Sequence, residues 1–321
     1  MSHLLLALDF GGTKLSAALL QDGESAWRGH RRVFSPSGSR AADDLRAMLQ
    51  MSRDLLQSHS PAAIGVSFGG PVDFDSGTVR LSHHVPGWEE VPLREQLQQV
   101  LGAPAAVDND ANVAALGEQR FGAGNGYRHL LYITVSTGVG GGWILNGQPW
   151  RGAEGMAGEI GHTVVDPRGP QCLCGKRGCV ERLASGPYMA QDARERLQQE
   201  PDKGQILRRL SDGSPDTITG KLLNEAAAAG DALAQEILDR GAWALGTGIG
   251  NAANLINPQR VVLGGGVTKS GERWWQRVRD TAATVTLPEV HVEIVPAVLG
   301  DDAPLWGAVA LAQDLLQFNS G

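Results

Sequence analysis

Residues 107–118 read VDNDANVAALGE. An apolar run, Ala105 to Val107, follows Pro104 and ends in three polar residues, Asp108, Asn109 and Asp110. Ala111 to Leu116 then carries good helix formers at every position but Asn112 and Val113. The pattern is a short buried strand running straight into a helix, which a side-chain oxygen of Asn109 or Asp110 can cap. α/β sheets place their ligand chemistry where a carboxylate at a strand end meets a helix N-terminus. A plain capped helix reads the same way in isolation, so the rest of the chain decides.

The chain supplies glycine loops on either side of this junction. Leu4 to Asp9 is an apolar strand ending in an acid, followed by the tight turn Phe10-Gly11-Gly12-Thr13-Lys14 and a second strand, Leu15 to Leu20. Gly11, Gly12 and Thr13 can offer backbone N–H and hydroxyl groups to a phosphate because no bulky side chain blocks approach. Lys14 adds a positive charge, and Asp9 would face Mg²⁺ directly or through water. The layout recurs at LLYITVS (130–136), the loop Thr137-Gly138-Val139-Gly140-Gly141-Gly142, and Trp143 to Leu145. Two such hairpins in two halves point to an internally duplicated fold with a ligand clamped between lobes. A third glycine turn, Gly264-Gly265-Gly266, follows the strand Arg260 to Leu263.

At 321 residues the chain has room for two lobes. A net charge of −7 argues against broad phosphate neutralisation on nucleic acid. No apolar run approaches the ~20 residues that span a bilayer. The start, MSHLLLALDFGG, reads as a strand and not as a signal peptide, so a cytoplasmic enzyme is the expectation. All three cysteines fall within eight residues, at Cys172, Cys174 and Cys179. That is no disulfide framework; with His162 nearby, three thiolates and an imidazole suit tetrahedral Zn²⁺. Gly175 and Gly178 would let the loop curl around the metal. The predicted content is one zinc per chain, and metal analysis finding none in freshly purified, unchelated protein would contradict it.

Other elements follow from periodicity and breakers. Ala41 to Ser58 and Leu93 to Leu101 read as helices, Ala62 to Phe68 as a strand stopped by Gly69-Gly70-Pro71, and RLSHHVPGW (80–88) as an irregular loop. No role is assigned to its His83 and His84. Residues 186–257 are mostly helical, with Gly246, Gly248 and Gly250 allowing close packing of a long helix. Trp274 to Thr284 is a helix, Val290 to Val295 a strand, and Pro304 to Phe318 a last helix that packs back on the first lobe.

The assembled blocks resemble the ROK family of sugar kinases and related repressors. The resemblance rests on DFGGTK (9–14), DNDANVAALGE (108–118), STGVGGGWI (136–144), GAEGMAGEIGHTVV (152–165), CLCGKRGCVE (172–181) and VLGGGV (262–267). It implies an α/β fold of the actin-like, hexokinase-like, ribonuclease H-like duplicated kind, two lobes around an inter-lobe cleft. Residues 1–118 with the C-terminal helix 303–321 would form one lobe, and 119–302, with the zinc-binding loop, the other. It implies ATP as phosphate donor, Mg²⁺, and nucleotide contacts from Asp9, Gly11, Gly12, Thr13, Lys14, Thr137, Gly138, Gly140, Gly264, Gly265 and Gly266. Asp110 would be the catalytic base. Asn109, Glu159, His162, Glu181, Gly69 and Gly87 would contact the sugar, His162 also binding zinc with Cys172, Cys174 and Cys179.

The resemblance implies a hexose as substrate, glucose first, with N-acetylmannosamine, N-acetylglucosamine, mannose and fructose as alternatives. Glu154 stands where many glucose-specific relatives carry Asn. A homodimer or homotetramer is the usual assembly. The rival from another class is a sugar-sensing repressor. It is disfavoured because the first strand starts near residue 3, leaving no room for a helix-turn-helix segment, and because the chain is acidic. A dinucleotide-dependent oxidoreductase would need G-x-G-x-x-G between strand and helix, whereas Gly11-Gly12 lies between two strands.

Overall fold

A computed structural model describes residues 3–36, 38–82 and 84–318; His83 lies outside them. The strands are β1 Leu4–Phe10, β2 Lys14–Gln21, β3 Gly29–Phe34, β4 Ala63–Phe68, β5 Val72–Asp73, β6 Thr78–Val79, β7 Ala105–Asn109, β8 Leu130–Val135, β9 Val139–Leu145, β10 Gln148–Trp150, β11 Arg260–Gly264 and β12 Glu293–Pro296. The helices are α1 Ala41–Leu56, α2 Leu93–Leu101, α3 Asp110–Phe121, α4 Val180–Ala184, α5 Gly186–Gln199, α6 Gln205–Leu210, α7 Gly220–Ala228, α8 Ala232–Ile256, α9 Glu272–Val285 and α10 Ala303–Phe318. The predicted helix over residues 93–101 matches α2 in full. The short edge strands β3, β5, β6 and β10 carry no strong alternation and are seen only in the structure.

The two five-stranded sheets have the same plan. One runs β3-β2-β1-β4-β7, the other β10-β9-β8-β11-β12. In the first, β1 is antiparallel to β2, which is antiparallel to β3, while β4 and β7 run parallel to β1. In the second, β10 is antiparallel to β9, and β11 and β12 run parallel to β8. The duplication read from the two glycine hairpins is therefore a duplication of whole sheets, the pattern of the actin-like two-lobe fold.

The chain divides into two compact units: residues 1–128, 142–157 and 298–321, and residues 129–141 and 158–297. In the first, β1 and β4 are buried almost throughout because helices cover both sheet faces. α1 packs on β2 and α2 on β7, while α10 packs on β1, β4 and α3. The seat of α10 depends on absent side chains. A Cβ at Gly65 would lie 1.7 Å from the Ala308 carbonyl oxygen, and one at Gly307 would lie 1.8 Å from that of Val113. Phe10, Phe68 and Trp88 close the other face in edge-to-face contacts.

A single carboxylate anchors two chain segments of this unit. Glu118 on α3 is fully buried, and its Oε1 accepts the N–H groups of Val298 (3.0 Å) and Leu299 (2.9 Å) while Oε2 accepts that of Ala123 (2.8 Å). The segment after α3 and the returning segment before α10 are thus both held by one side chain. Glu118→Ala removes the shared acceptor of three part-buried backbone donors and should lower the unfolding free energy by about 1–3 kcal/mol. A urea midpoint matching the wild type would contradict this.

In the second unit α8 lies against α9, as its glycine-rich face predicts. A Cβ at Gly246 would sit 2.6 Å from the Val278 carbonyl oxygen, and one at Gly250 2.6 Å from Val285. No helix among the described residues is long and apolar enough to cross a membrane.

Candidate active site

In the first unit the parallel strands β1, β4 and β7 end together at Asp9, Ser67 and Asp108. Asn109 is the helix cap: its Oδ1 accepts Ala111 N–H (3.0 Å) and Asn112 N–H (3.4 Å), and its Nδ2 donates to the Gly70 carbonyl (3.1 Å). Asp110 is then the first residue of α3, and its Oδ1 accepts Ala111 N–H at 2.8 Å. Of the two capping candidates in the sequence, Asn109 occupies the cap position, and Asp110 shares the Ala111 N–H with it.

Asp9 is buried and accepts the Ser67 hydroxyl at 2.9 Å. Burial pushes its carboxyl up to about 7; the Asp110 charge adds to the rise, and Ser67, Lys14 and Arg32 oppose it. Asp9 and Asp110 therefore feel each other, the setting in which a divalent cation is held by a carboxylate. Within the first glycine loop, Gly11 N–H closes the turn onto the Lys14 carbonyl (3.0 Å), and Lys14 pairs with Asp301 at 3.6 Å. The His84 ring covers the loop tip, 2.7 Å from where a Cβ of Gly12 would be. Gly69 donates its N–H to the Phe10 carbonyl (2.8 Å), and Gly87 turns the chain at φ 95°.

In the second unit a cavity of about 770 Å³ opens beside the second and third glycine loops. Ser136 and Thr137, residues of α5, the segment from Ile218 to Lys221 with Asn224 and Glu225, and Gly266, Val267 and Lys269 line it. Its size suits a drug- or nucleotide-sized ligand. The three glycines of the third loop differ in role, and Gly266 alone of them lines the cavity. A Cβ at Gly264 would meet the Tyr132 hydroxyl at 2.5 Å, and Gly265 has φ 90° with the Val135 carbonyl 2.4 Å from a Cβ. At Gly266 the nearest atom is Ser136 Oγ at 4.0 Å. The first two glycines shape the turn and the third leaves the cavity open. Gly138 abuts Glu181, whose Oε2 accepts Val139 N–H at 2.9 Å; Gly140 lies within β9. The cavity wall from α5 and α7, including Arg194, Lys221 and Asn224, was not legible in the sequence, because no motif marks it.

The cysteine loop closes on itself in the same unit. One ligand atom each from His162, Cys172, Cys174 and Cys179 all lie within 4.8 Å of one another. The cysteines are free thiols. Burial, then the hydrogen bond with Cys174, pushes the Cys179 thiol up to about 12. His162 ends a 3₁₀ turn capped by Glu159, and its Nδ1 is buried with no hydrogen-bond partner among the described residues. One nitrogen and three sulfurs, with a ring nitrogen waiting for a partner, fit tetrahedral Zn²⁺.

Duplicated sheets of this order are those of the actin-like fold, and the relatives mark the protein as an ATP-dependent sugar kinase. The ROK family pattern matches residues 5–315, and the chain belongs to the ROK family. It is 32% identical to a glucokinase of Thermotoga maritima over 97% of both chains. It is 34% identical to an N-acetylmannosamine kinase of Escherichia fergusonii over 96% of this chain and 98% of that one. A crystal structure of a ROK family glucokinase from Streptomyces griseus in complex with glucose and AMPPNP shares 35% identity and a TM-score of 0.82, covering 97% of this chain and 99% of that one.

Proposed function

We propose that the chain transfers the γ-phosphoryl group of ATP to a hydroxyl of a hexose, glucose first, with Asp110 as general base. The observation that carries this is the placement of Asp9 at the end of β1 and of Asp110 at the start of α3, directly after β7, at the same end of the sheet with β4 between the two strands, so that the Asp110 charge raises the Asp9 carboxyl beside the first glycine loop. Asp9 would hold Mg²⁺, directly or through water, and the loop tip at Gly12 and Thr13 would face phosphate. Asn109, Glu159, His162 and Glu181 would bind sugar hydroxyls. The cavity at Thr137 and Gly266 would take the nucleoside.

Phosphoryl transfer asks for positioning and charge stabilisation more than for covalent catalysis. Asp110 accepts the hydroxyl proton as that oxygen bonds to phosphorus and ADP leaves. Bound Zn²⁺ would supply a rigid anchor for the His162 ring, held with Cys172, Cys174 and Cys179, and no Lewis-acid step. Taking glucose first is supported by the glucokinase relatives and by the relative from Streptomyces griseus, a ROK family glucokinase in complex with glucose and AMPPNP. The second reading, an N-acetylhexosamine kinase, is favoured by Glu154 and by the N-acetylmannosamine kinase relative. The net charge of −7 disfavours the repressor reading.

ADP release with ATP, Mg²⁺ and a panel of hexoses and N-acetylhexosamines tests this. The expected result is the highest kcat/KM with glucose; no turnover of any sugar would overturn the reading. The cavity carries its own prediction. Gly266→Leu fills open space and should raise KM for ATP on the order of tenfold, about 1.4 kcal/mol, with sugar KM unchanged. An unchanged KM for ATP would remove the nucleotide from this cavity.

A further inference from the structure

Asp108 stands two residues before Asp110 and is 2% exposed. A buried carboxylate needs partners, and both its oxygens are engaged. Oδ1 accepts the Asn109 N–H (2.8 Å) and Asn112 Nδ2 (3.2 Å). Oδ2 accepts two nitrogens of Arg151, Nε and the terminal NH2, each at 2.7 Å. Burial pushes the Asp108 carboxyl up, and the Arg151 charge draws it back.

Arg151 follows β10 directly. Its guanidinium lies over the Phe74 ring, 3.4 Å from the centroid, and its carbonyl accepts Ala157 N–H at 2.9 Å. One residue therefore joins three pieces of the first unit: the loop 151–157 through its carbonyl, and the turn between β5 and β6 and the junction of β7 with α3 through its side chain. Asn112 is also committed. Its Nδ2 serves Asp108 while its Oδ1 is buried without a partner among the described residues. A buried amide left half satisfied in a native core calls for an explanation, and orientation by Asp108 gives one. Stability alone is a poor reason for such a pair, because a buried ion pair contributes little over packed apolar residues.

We propose that Arg151 is a positioning residue for phosphoryl transfer: through Asp108 it fixes the β7–α3 junction, and so the orientation of the Asp110 carboxylate. This rests on Asp110 being the base. The Asp110 carboxylate accepts the Ala111 N–H, the second of α3, so tilting of the junction peptides moves it with the helix. A misplacement of ~1 Å costs about a hundredfold in rate.

The test compares Arg151→Met, Arg151→Lys, the double variant Arg151→Met/Asp108→Asn, and Asp110→Asn. Arg151→Met should lower kcat by about 10- to 100-fold with KM for sugar and ATP within about threefold. Arg151→Lys keeps the charge without the fork and should fall between it and the wild type. The double variant removes the stranded buried carboxylate, so its thermal midpoint should return toward the wild type while kcat stays low. Recovery of kcat together with stability in the double variant would reduce Arg151 to a structural role and overturn the proposal. Wild-type kcat in Arg151→Met beside an inactive Asp110→Asn would overturn positioning alone. Full activity in Asp110→Asn would overturn the base, and the proposal with it.

Discussion

Asp110→Asn lowers kcat about a thousandfold or more and leaves sugar affinity within a few-fold of the wild type. A sugar hydroxyl is a poor nucleophile until its proton is taken, and a positioned general base contributes ~10²–10⁴ in rate. Asn keeps the shape of the side chain and can still accept Ala111 N–H through its oxygen, so α3 should begin as it does now. Helix capping rests on Asn109, which the substitution does not touch. The loss should therefore appear in turnover and not in folding, which circular dichroism and ADP-release kinetics on one preparation would separate. Turnover within tenfold of the wild type would remove Asp110 from the chemistry.

Cys179→Ser has the second largest expected effect. The purified wild type should carry one zinc per chain, and the variant none, as read by elemental analysis. Without the cation, His162 Nδ1 is left buried and unpaired, and the 3₁₀ turn that carries it from Glu159 loses its anchor. Sugar kcat/KM should fall on the order of 10- to 100-fold, the range seen when the support of a metal site is lost. A zinc-free wild type with full activity would contradict both parts. Prolonged chelation of the wild type should reproduce the variant, and re-addition of Zn²⁺ should reverse it.

Much of the fold could be read from residues because its signals are local. β1, β4, α2 and α8 are set by apolar runs and breakers, and two glycine hairpins announced a duplication that the sheet orders bear out. The strands β3, β5, β6 and β10 escaped notice because their pairing comes from the neighbouring strand and not from their own pattern. The metal cluster was legible because three rare cysteines fall together with His162 close before them, and the structure brings ligand atoms of all four within 4.8 Å of one another. The roles within each glycine loop were not legible. Gly11 donates into its own turn and Gly265 serves backbone geometry, while Gly266 opens on the cavity, differences that depend on contacts from distant strands. Arg151 escaped for the same reason: its partner Asp108 lies 43 residues away in sequence. His84 shows the limit most plainly, since nothing in SHHVPGW foretells a ring seated over Gly12.

The account turns on one atom transfer, and a crystal structure of the chain with its sugar and a non-hydrolysable ATP analogue tests it most directly. The account predicts a carboxylate oxygen of Asp110 within ~2.6–3.2 Å of the hydroxyl that faces the γ-phosphorus. A reacting hydroxyl held by some other base, with Asp110 turned away from the sugar, would contradict it.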